Sequence, residues 1–275
     1  MTATLQQTAT QQATTRRVEL AWLPTTSLER LLGQAALQTR IDRKYVLPVD
    51  DVALVLGLVE GPVEVLRIDG RERFGYHSTY FDTPGLDCFH LAGRGRRRRF
   101  KVRTRVYRDS GDTWLEVKTR GPRGATVKDR LPYDLADAGR LTPAAAEFVS
   151  LTLTEREADG VAVADLAPAL HTSYDRTTLL LAGGDSASRA TIDTRLTWRR
   201  PGSRHLLATP GTVIVETKGG SAPSALDRAL WRCRIRPSRV SKYGTGLAAL
   251  NDDLPDLKWH RVLTHELIPT AAQPA

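Results

Sequence analysis

The sequence predicts an α+β protein built on a closed antiparallel β-barrel with a basic interior and helices packed outside. Two observations carry this prediction. Several segments alternate apolar and polar residues with a period of two, which is the period of a β-strand. In these segments the polar positions are mostly arginine or lysine rather than the mixed polar residues of a solvated sheet. A barrel whose apolar faces pack outward against helices, and whose basic faces line a wet interior, accounts for both.

The clearest example is the pair of segments at residues 99–107 and 113–120. In the first segment Phe100, Val102, Thr104 and Val106 share one face. The other face is basic or aromatic: Lys101, Arg103, Arg105 and Tyr107. The second segment repeats the pattern with Trp114, Glu116, Lys118 and Arg120 opposite Leu115 and Val117. Residues 108–112 have the composition of a turn, so the two segments are predicted to form a hairpin. We interpret Glu116 as a counter-charge for the surrounding cations.

The same two-residue spacing of polar side chains recurs along the chain. It is found in five further places: Arg40, Asp42 and Lys44; Lys128 and Arg130; Tyr174 and Arg176; Asp193 and Arg195; Glu216 and Lys218. A solvated sheet face with scattered salt bridges explains any one pair about as well. Repetition over six or seven strands favours the basic barrel, which would concentrate positive potential on an anion.

Length, charge and cysteine content limit the class of protein. The chain has 275 residues and a formal net charge of +9, which favours anionic partners. We predict a disordered tail at residues 1–18, one domain at residues 19–260 and a C-terminal tail at residues 261–275. Cys88 and Cys233 have no metal-binding spacing and are read as free thiols in a reducing, cytoplasmic compartment. No apolar run approaches the length of a membrane span.

Helices are predicted between the strands. Segments with an apolar stripe or a capping residue lie at residues 27–38, 143–151, 163–170 and 221–234. Thr142 followed by Pro143 is a strong helix-start signal. The run of arginines from Arg94 to Arg99 is either a solvated loop or a rim that attracts phosphate.

The common catalytic signatures are absent from the sequence. It contains no nucleotide-binding glycine loop, no GxSxG and no HExxH, and its six histidines show no metal-ligand spacing. An enzyme acting on phosphates would therefore have to bind them with side chains rather than with the usual backbone cradle.

Seven short motifs occur in the order found in a known family. They are Arg40-Ile-Asp-Arg-Lys-Tyr45, Ser78-Thr-Tyr-Phe-Asp-Thr-Pro84, Lys101-Val-Arg-Thr-Arg105, Leu115-Glu-Val-Lys118, Ser173-Tyr-Asp-Arg176, Val215-Glu-Thr-Lys218 and Ser241-Lys-Tyr243. The chain resembles the VTC domain, the polyphosphate polymerase domain of the vacuolar transporter chaperone complex. That domain belongs to the triphosphate tunnel metalloenzyme (CYTH-like) superfamily. The likeness covers roughly residues 40–250 and implies an antiparallel barrel with a basic tunnel. We expect a stand-alone, bacterial-type form.

The resemblance implies roles for individual residues. The implied catalytic cations are Arg103, Arg105, Lys118 and Lys242. The implied substrate-binding cations are Lys44, Arg176, Lys218 and, with a weaker match, Arg195. Lys128 or Arg130 is implied at a further basic position, and the spacing leaves open which of the two fills it. Glu216 is implied as the carboxylate that binds Mn²⁺ or Mg²⁺. The ExExK triplet of the broader superfamily is missing from the first strand, which counts against its triphosphatase and cyclase branches.

The resemblance implies a metal-dependent polymerase that transfers the γ-phosphate of ATP to a growing polyphosphate chain. The alternatives are a hydrolase of triphosphate or nucleoside triphosphates in the same tunnel, and a polyphosphate-binding module without turnover. A nucleic-acid binder ranks last, because the basic residues alternate within strands and only 6% of the chain is aromatic. The expected partners are ATP and polyphosphate. The sequence leaves the oligomeric state and a separate membrane partner open.

Overall fold

A computed structural model describes residues 18–34, 41–121, 126–182, 187–267 and 269–272. Arg40, the end of the helix predicted to reach Gln38 and residues 1–17 of the predicted tail lie outside these ranges. Within them the strands are β1 Thr25–Thr26, β2 Ile41–Pro48, β3 Val63–Leu66, β4 Phe74–Asp82, β5 Phe100–Tyr107, β6 Thr113–Arg120, β7 Thr126–Pro132, β8 Ala167–Leu181, β9 Ser188–Arg199, β10 Leu206–Ala208, β11 Thr212–Gly219 and β12 Thr270–Ala272. The α-helices are α1 Leu28–Gln34, α2 Asp51–Gly57, α3 Asp87–Gly93, α4 Pro143–Glu155, α5 Ala225–Arg232 and α6 Lys242–Ala249.

The chain forms two compact units, each assembled from three segments. Unit 1 contains Met1–Arg73, Arg176–Leu196 and Thr209–Ser238. Unit 2 contains Phe74–Asp175, Thr197–Ala208 and Arg239–Ala275. The long strands β8 and β9 therefore contribute residues to both units. The boundaries predicted for a single domain at residues 19–260 stay a prediction.

Unit 1 is built around β11, which pairs antiparallel with β2 and with the first half of β9. One face of these strands is apolar and is covered by α2 and α5, which pack against each other. The buried carboxylate of Asp227 in α5 accepts hydrogen bonds from Tyr45 in β2 at 2.6 Å and from Thr217 in β11 at 2.7 Å. It also closes a capping box with Ser224. A helix terminus thus fixes two neighbouring strands from their apolar side.

Unit 2 contains an antiparallel meander, β4–β5–β6–β7. Helix α3 packs on β5 and α6, and α4 packs on β6. As predicted, Thr142 caps α4 by accepting a hydrogen bond from the amide of Ala145, and Pro143 is the first helical residue. The prediction that apolar strand faces pack against helices is confirmed in both units.

The strands belong to one sheet with a branched order, antiparallel except for the parallel pair of β1 and β3. The main path is β12-β10-β9-β8-β4-β5-β6-β7, with β11 and β2 branching from β9, and β3 and β1 branching from β8. Hydrogen bonds between the strands of the described residues do not close this sheet into a barrel. The predicted antiparallel sheet with helices packed on it is confirmed. The predicted closure of the sheet into a barrel is not confirmed.

Two sequence predictions need correction. The helix predicted at residues 163–170 is a single 3₁₀ turn, Val163–Asp165, after which β8 begins at Ala167. Its apolar residues have helical spacing, but Pro168 cannot continue a helix, and Leu170 is fully buried in the strand. The predicted C-terminal tail contains a π-helical turn, Val262–Glu266, and strand β12, which pairs with β10.

Two further features of the described residues bear on the predictions. Cys88 and Cys233 are free thiols, as expected. None of the described helices is long and apolar enough to cross a membrane.

Candidate functional site

The basic face of unit 2 consists of the polar side chains of β5, β6 and β7, and Arg103 lies at its centre. Arg103 is 5% exposed, and its Nε and Nη2 donate to Oε2 of Glu116 at 2.8 and 2.5 Å. Its Nη1 donates to the hydroxyl of Tyr80 at 2.9 Å. The antiparallel register, which places Arg103 directly opposite Glu116, produces this contact. The guanidinium is therefore held in one orientation by the protein itself.

Glu116 is the counter-charge of this face, as the sequence predicted. Burial raises its pKa, but the charges of Arg103, Arg105, Lys118 and Lys128 outweigh burial and hold that pKa well below its usual range. Its second oxygen lies 3.4 Å from Nζ of Lys128. One carboxylate thus serves several cations, and the face keeps an excess of positive charge.

Arg105 differs from Arg103 in the chemistry of its partners. It is 8% exposed, its Nη2 donates to the hydroxyl of Tyr174 at 2.8 Å, and its Nε lies 3.5 Å from Oγ of Ser78. The guanidinium also lies over the rings of Tyr76 and Tyr174, at 5.2 and 6.0 Å. No salt bridge to Arg105 occurs in the described part of the chain. Its partners are neutral hydroxyls and rings, so a buried positive charge lacks a direct counter-ion.

Lysines extend the basic face. Lys118 lies directly opposite Lys101 on one side and Lys128 on the other, which makes a row of three ammonium-bearing residues across three strands. Like charges that face each other in a sheet are destabilising unless an anion lies between them. Nζ of Lys101 donates to Oγ of Ser241 at 2.9 Å, and Nζ of Lys242 lies 4.5 Å above the ring of Tyr174.

The sequence left open whether Lys128 or Arg130 fills a further basic position, and both residues lie on this face. Lys128 approaches Glu116, whereas the guanidinium of Arg130 stacks 4.3 Å above the ring of Trp114. Arg130 lies opposite Glu116 in the register of β6 and β7. Lys128 is therefore the one of the two that joins the Arg103–Glu116 pair.

A second cluster lies in unit 1 on the polar face of β2, β11 and β9. Glu216 is flanked by two lysines, with Nζ of Lys44 3.4 Å from Oε1 and Nζ of Lys218 3.3 Å from Oε2. Arg176 forms a bidentate pair with the fully buried Asp193 at 2.7 and 2.9 Å. Four of the predicted site residues are therefore together in one unit: Lys44, Arg176, Glu216 and Lys218.

Lys218 has an unusual environment. Burial lowers its pKa to about 8 despite the nearby charge of Glu216. Its buried Nζ forms the 3.3 Å ion pair with Glu216 but no aligned hydrogen bond. Oγ1 of Thr191, which lies opposite Glu216 in the register, is likewise buried without a hydrogen-bond partner. Buried polar atoms are normally satisfied, so two unsatisfied atoms beside one carboxylate indicate room for a polar ligand.

Arg195 lies beyond the β9 residues that pair with β11, and the register brings in a residue that the sequence reasoning missed. Arg195 is exposed, has φ +54° and comes after Asp193, the last β9 residue that pairs with β11. Arg189 instead lies directly opposite Lys218. Period-two spacing counted backwards from Asp193 through Thr191 would have reached Arg189.

The fold and these two clusters define a class of protein, an antiparallel β protein that presents basic side chains on one face of its strands. The chain belongs to the VTC domain family, whose model matches residues 39–251. No curated protein matches the chain.

Solved structures with some likeness to the chain include cyclase-like proteins. A candidate adenylate cyclase from Bacillus halodurans is 12% identical with a TM-score of 0.45, covering 74% of this chain and 94% of that one. A candidate adenylate cyclase from Vibrio parahaemolyticus is 15% identical with a TM-score of 0.40, covering 74% and 96%. A candidate adenylyl cyclase from Hippeastrum, described as having a dominant triphosphatase activity, is 15% identical with a TM-score of 0.44, covering 79% and 98%.

Two histidines form a separate polar cluster in unit 2. Nδ1 of His77 contacts Oγ of Ser173 at 2.9 Å, Nδ1 of His171 contacts Oγ1 of Thr79 at 3.1 Å, and the two rings stack at 5.7 Å. Burial, and then the neighbouring charges, lower the pKa of His171 to about 4. Burial likewise lowers the pKa of His77. His77 alternates with Ser78 of β4, and His171 with Tyr174 of β8, whose side chains contact Arg105, so the histidines belong to the opposite face.

The histidine pair predicts a loss of stability in acid. The unfolded chain binds more protons than the folded chain between about pH 6.5 and 4, so the free energy of unfolding should fall as the pH drops through that window. His171→Gln should remove about 1–2 kcal/mol of this pH dependence, allowing for partial exposure. Urea unfolding at about pH 7 and about pH 4.5 tests this. His205→Gln, at an exposed histidine, is the control. An unchanged pH dependence in His171→Gln would contradict the prediction.

Proposed function

We propose that this protein is a metal-dependent phosphotransferase that adds the γ-phosphate of ATP to a growing polyphosphate chain. Membership of the VTC domain family supports the proposal. The observation that carries it is Arg105, a buried guanidinium whose direct partners are neutral. Burying a charge without a counter-ion is costly, so the site is suited to a ligand that supplies negative charge. The proposal includes the closed basic barrel that the family resemblance implies.

The side chains of the basic face suit the chemistry of phosphoryl transfer. The reaction needs positioning and charge neutralisation more than covalent help, and a terminal phosphate oxygen is already anionic and needs no strong base. Two unit charges about 4 Å apart interact by about 4 kcal/mol at an effective dielectric constant of about 20. Several cations are therefore required to bring two polyanions together. Arg105 offers a planar fork to phosphate oxygens, while Lys101, Lys118 and Lys242 act as point charges.

Arg103 and Glu116 have a positioning role in this proposal. The nitrogens of Arg103 already donate to Glu116 and Tyr80. This guanidinium would therefore act on a bound phosphate through its positive charge more than through hydrogen bonds. Glu116 limits the repulsion between the cations while the face is without ligand. In unit 1 the candidate phosphate-binding residues are the predicted Lys44, Arg176 and Lys218 together with Arg189. The exposed Arg195 is a weaker candidate for phosphate binding.

Glu216 is the residue that would hold Mn²⁺ or Mg²⁺. No group of three or more metal-binding side chains occurs in the described ranges. Mg²⁺ commonly takes one or two carboxylates and completes its shell with phosphate and water, so a single carboxylate is compatible with it. The unsatisfied atoms of Lys218 and Thr191 suit the phosphates that accompany such an ion. When bound, the ion would supply positive charge that neutralises the charge developing on the transferred phosphate.

A specific observation favours a second candidate, a polyphosphate-binding module without turnover. Both oxygens of Glu216 already lie within 3.4 Å of a lysine ammonium group. If these ion pairs persist when polyphosphate is present, Glu216 is a counter-charge rather than a metal ligand, and the chain would bind the polymer without reacting it.

Incubation of the protein with ATP and Mn²⁺ or Mg²⁺ tests the proposal, with products resolved on a gel stained for polyphosphate and free phosphate assayed in parallel. We expect a polyphosphate ladder, reduced at least about 100-fold in Arg105→Gln and in Glu216→Gln. Arg204→Gln, at an exposed arginine of unit 2, is the charge-matched control and should retain the ladder.

Two other outcomes would redirect the assignment. Free phosphate without a ladder would contradict the polymerase and indicate a hydrolase. Tight polyphosphate binding with neither product would indicate the binding module.

A further inference from the structure

Four cations form a patch at the end of the basic face of unit 2, and the proposed reaction does not use them. Arg99 immediately precedes β5 and Arg120 is the last residue of β6, next to the register pair Phe100 and Thr119. Lys258 reaches the carbonyl of Ala92 in the helix that precedes Arg99, and Arg239 lies two residues before Ser241, which accepts a hydrogen bond from Lys101. We call Arg99, Arg120, Arg239 and Lys258 the surface patch.

The hydrogen bonds of Arg99 and Lys258 go to neutral backbone carbonyls, so they do not neutralise the positive charges. Nη1 of Arg99 donates to the backbone carbonyls of Gly95 and Arg96, and Nζ of Lys258 donates to the carbonyl of Ala92 at the end of α3. Arg120 and Arg239 are exposed. No salt bridge involves any patch residue in the described part of the chain.

The electrostatics of the patch agree with this geometry. Burial lowers the pKa of Lys258, and the charges of Arg99, Arg239 and Arg120 lower it further. Burial and then Arg120 lower the pKa of Arg99. The nearest acid in sequence to Lys258 is Asp256, which is occupied by a contact with His260 at 2.9 Å. The four cations therefore repel one another, and a bound anion would relieve the repulsion.

The surface patch continues the basic face rather than standing apart from it. Arg99, Lys101, Arg103 and Arg105 occupy alternate positions, which share one face of a strand and follow one another about every 7 Å. The distance from Arg105 to Arg99 is then about 20 Å. A triphosphate is too short to reach both ends of this row, whereas a long linear polyanion can. The exposed arginines at positions 94, 96, 97 and 98 lie directly before Arg99.

We propose that the surface patch binds a segment of polyphosphate outside the reacting site and holds the chain while its end lies on the basic face. This inference rests on the proposed function and extends it to the part of the substrate remote from the reaction. Arg120 and Arg239 act here as binding residues that discriminate long chains from short ones.

Polyphosphate fits the patch better than single-stranded nucleic acid does. Binding of single-stranded nucleic acid relies on exposed aromatic rings on which bases stack. Trp259, which Lys258 approaches at 5.5 Å, and Phe100, which follows Arg99, both have buried side chains. The patch therefore offers charge without a stacking surface.

The test compares the binding of long-chain polyphosphate and of tripolyphosphate over a range of salt concentrations, without ATP. In the double variant Arg120→Gln/Arg239→Gln, affinity for the long chain should fall about tenfold, and the slope of log affinity against log salt should decrease by about 1.5. Affinity for tripolyphosphate should be unchanged. Arg108→Gln/Arg204→Gln removes two charges from exposed positions of the same unit and should leave both affinities unchanged.

Each other result overturns the inference in a recognisable way. If the patch variant keeps the wild-type affinity for the long chain, the surface patch does not bind polyphosphate, and the proposed reaction is unaffected by that result. Equal losses of long-chain affinity in both double variants would show that the effect comes from the net charge of the protein and not from the surface patch. Tighter binding of single-stranded RNA or of anionic lipid vesicles than of polyphosphate would reassign the patch. If the unaltered protein binds neither polyphosphate nor tripolyphosphate, the proposed function fails together with this inference.

Discussion

Glu116→Leu is expected to destabilise the protein by about 3–5 kcal/mol, the usual cost of breaking a buried ion pair by removing one partner. The side chains of Arg103 and Glu116 are 7% and 1% exposed and meet through two hydrogen bonds. Without the carboxylate, the guanidinium of Arg103 stays buried beside the charges of Arg105, Lys118 and Lys128 and loses its own ion-pair partner. Urea unfolding of the variant and of the unaltered protein measures the loss.

The double variant Arg103→Met/Glu116→Leu separates the charge effect from packing. Replacing both partners by apolar side chains of similar size is often neutral or stabilising, because the desolvation cost of both charges disappears. We therefore expect the double variant to be more stable than Glu116→Leu alone. Tripolyphosphate should also restore more stability to Glu116→Leu than to the double variant, since it replaces the missing negative charge. A loss below about 1 kcal/mol in Glu116→Leu would show that the pair is screened like a surface salt bridge.

This pair shows how far the sequence could describe the candidate site. The period-two pattern correctly placed Arg103, Arg105 and Glu116 on one strand face. It could not distinguish the two arginines, because the register of β5 and β6 decides which of them lies opposite Glu116. The register puts Glu116 opposite Arg103 and Trp114 opposite Arg105. One arginine is thereby tied to a carboxylate, and the other is left with neutral partners.

Elsewhere the sequence failed where strands are short or irregular. Strand β3, Val63–Leu66, is only four residues long, and so short a segment has no readable period. In β9 the positive φ of Arg195 interrupts the alternation, so counting forward from Asp193 reached an exposed residue rather than a neighbour of Lys218. The surface patch could not be assembled from the sequence, because Arg239 and Lys258 are far from Arg99 along the chain.

Gly246→Ala is expected to destabilise the protein by about 3 kcal/mol or more, at the upper end of the cost of overpacking a core. A Cβ at Gly246 in α6 would lie 2.2 Å from Cδ1 and 2.3 Å from Nε1 of Trp198. Trp198 is fully buried, and its Nε1 donates to the carbonyl of Lys242 at 2.8 Å. The ring has no room to retreat, so α6 must shift.

The shift would also reach the basic face, because α6 carries Lys242 and begins at Ser241, which accepts a hydrogen bond from Lys101. We therefore expect weaker tripolyphosphate binding together with the lower free energy of unfolding. Gly33→Ala is the matched control, since Gly33 is also helical and a Cβ there meets nothing within 4 Å. It should be neutral or stabilising by up to about 1 kcal/mol. Adding Trp198→Val to Gly246→Ala makes room for the new methyl group and should recover part of the lost binding. Full stability of Gly246→Ala alone would mean that the contact between α6 and Trp198 is looser than the structure describes.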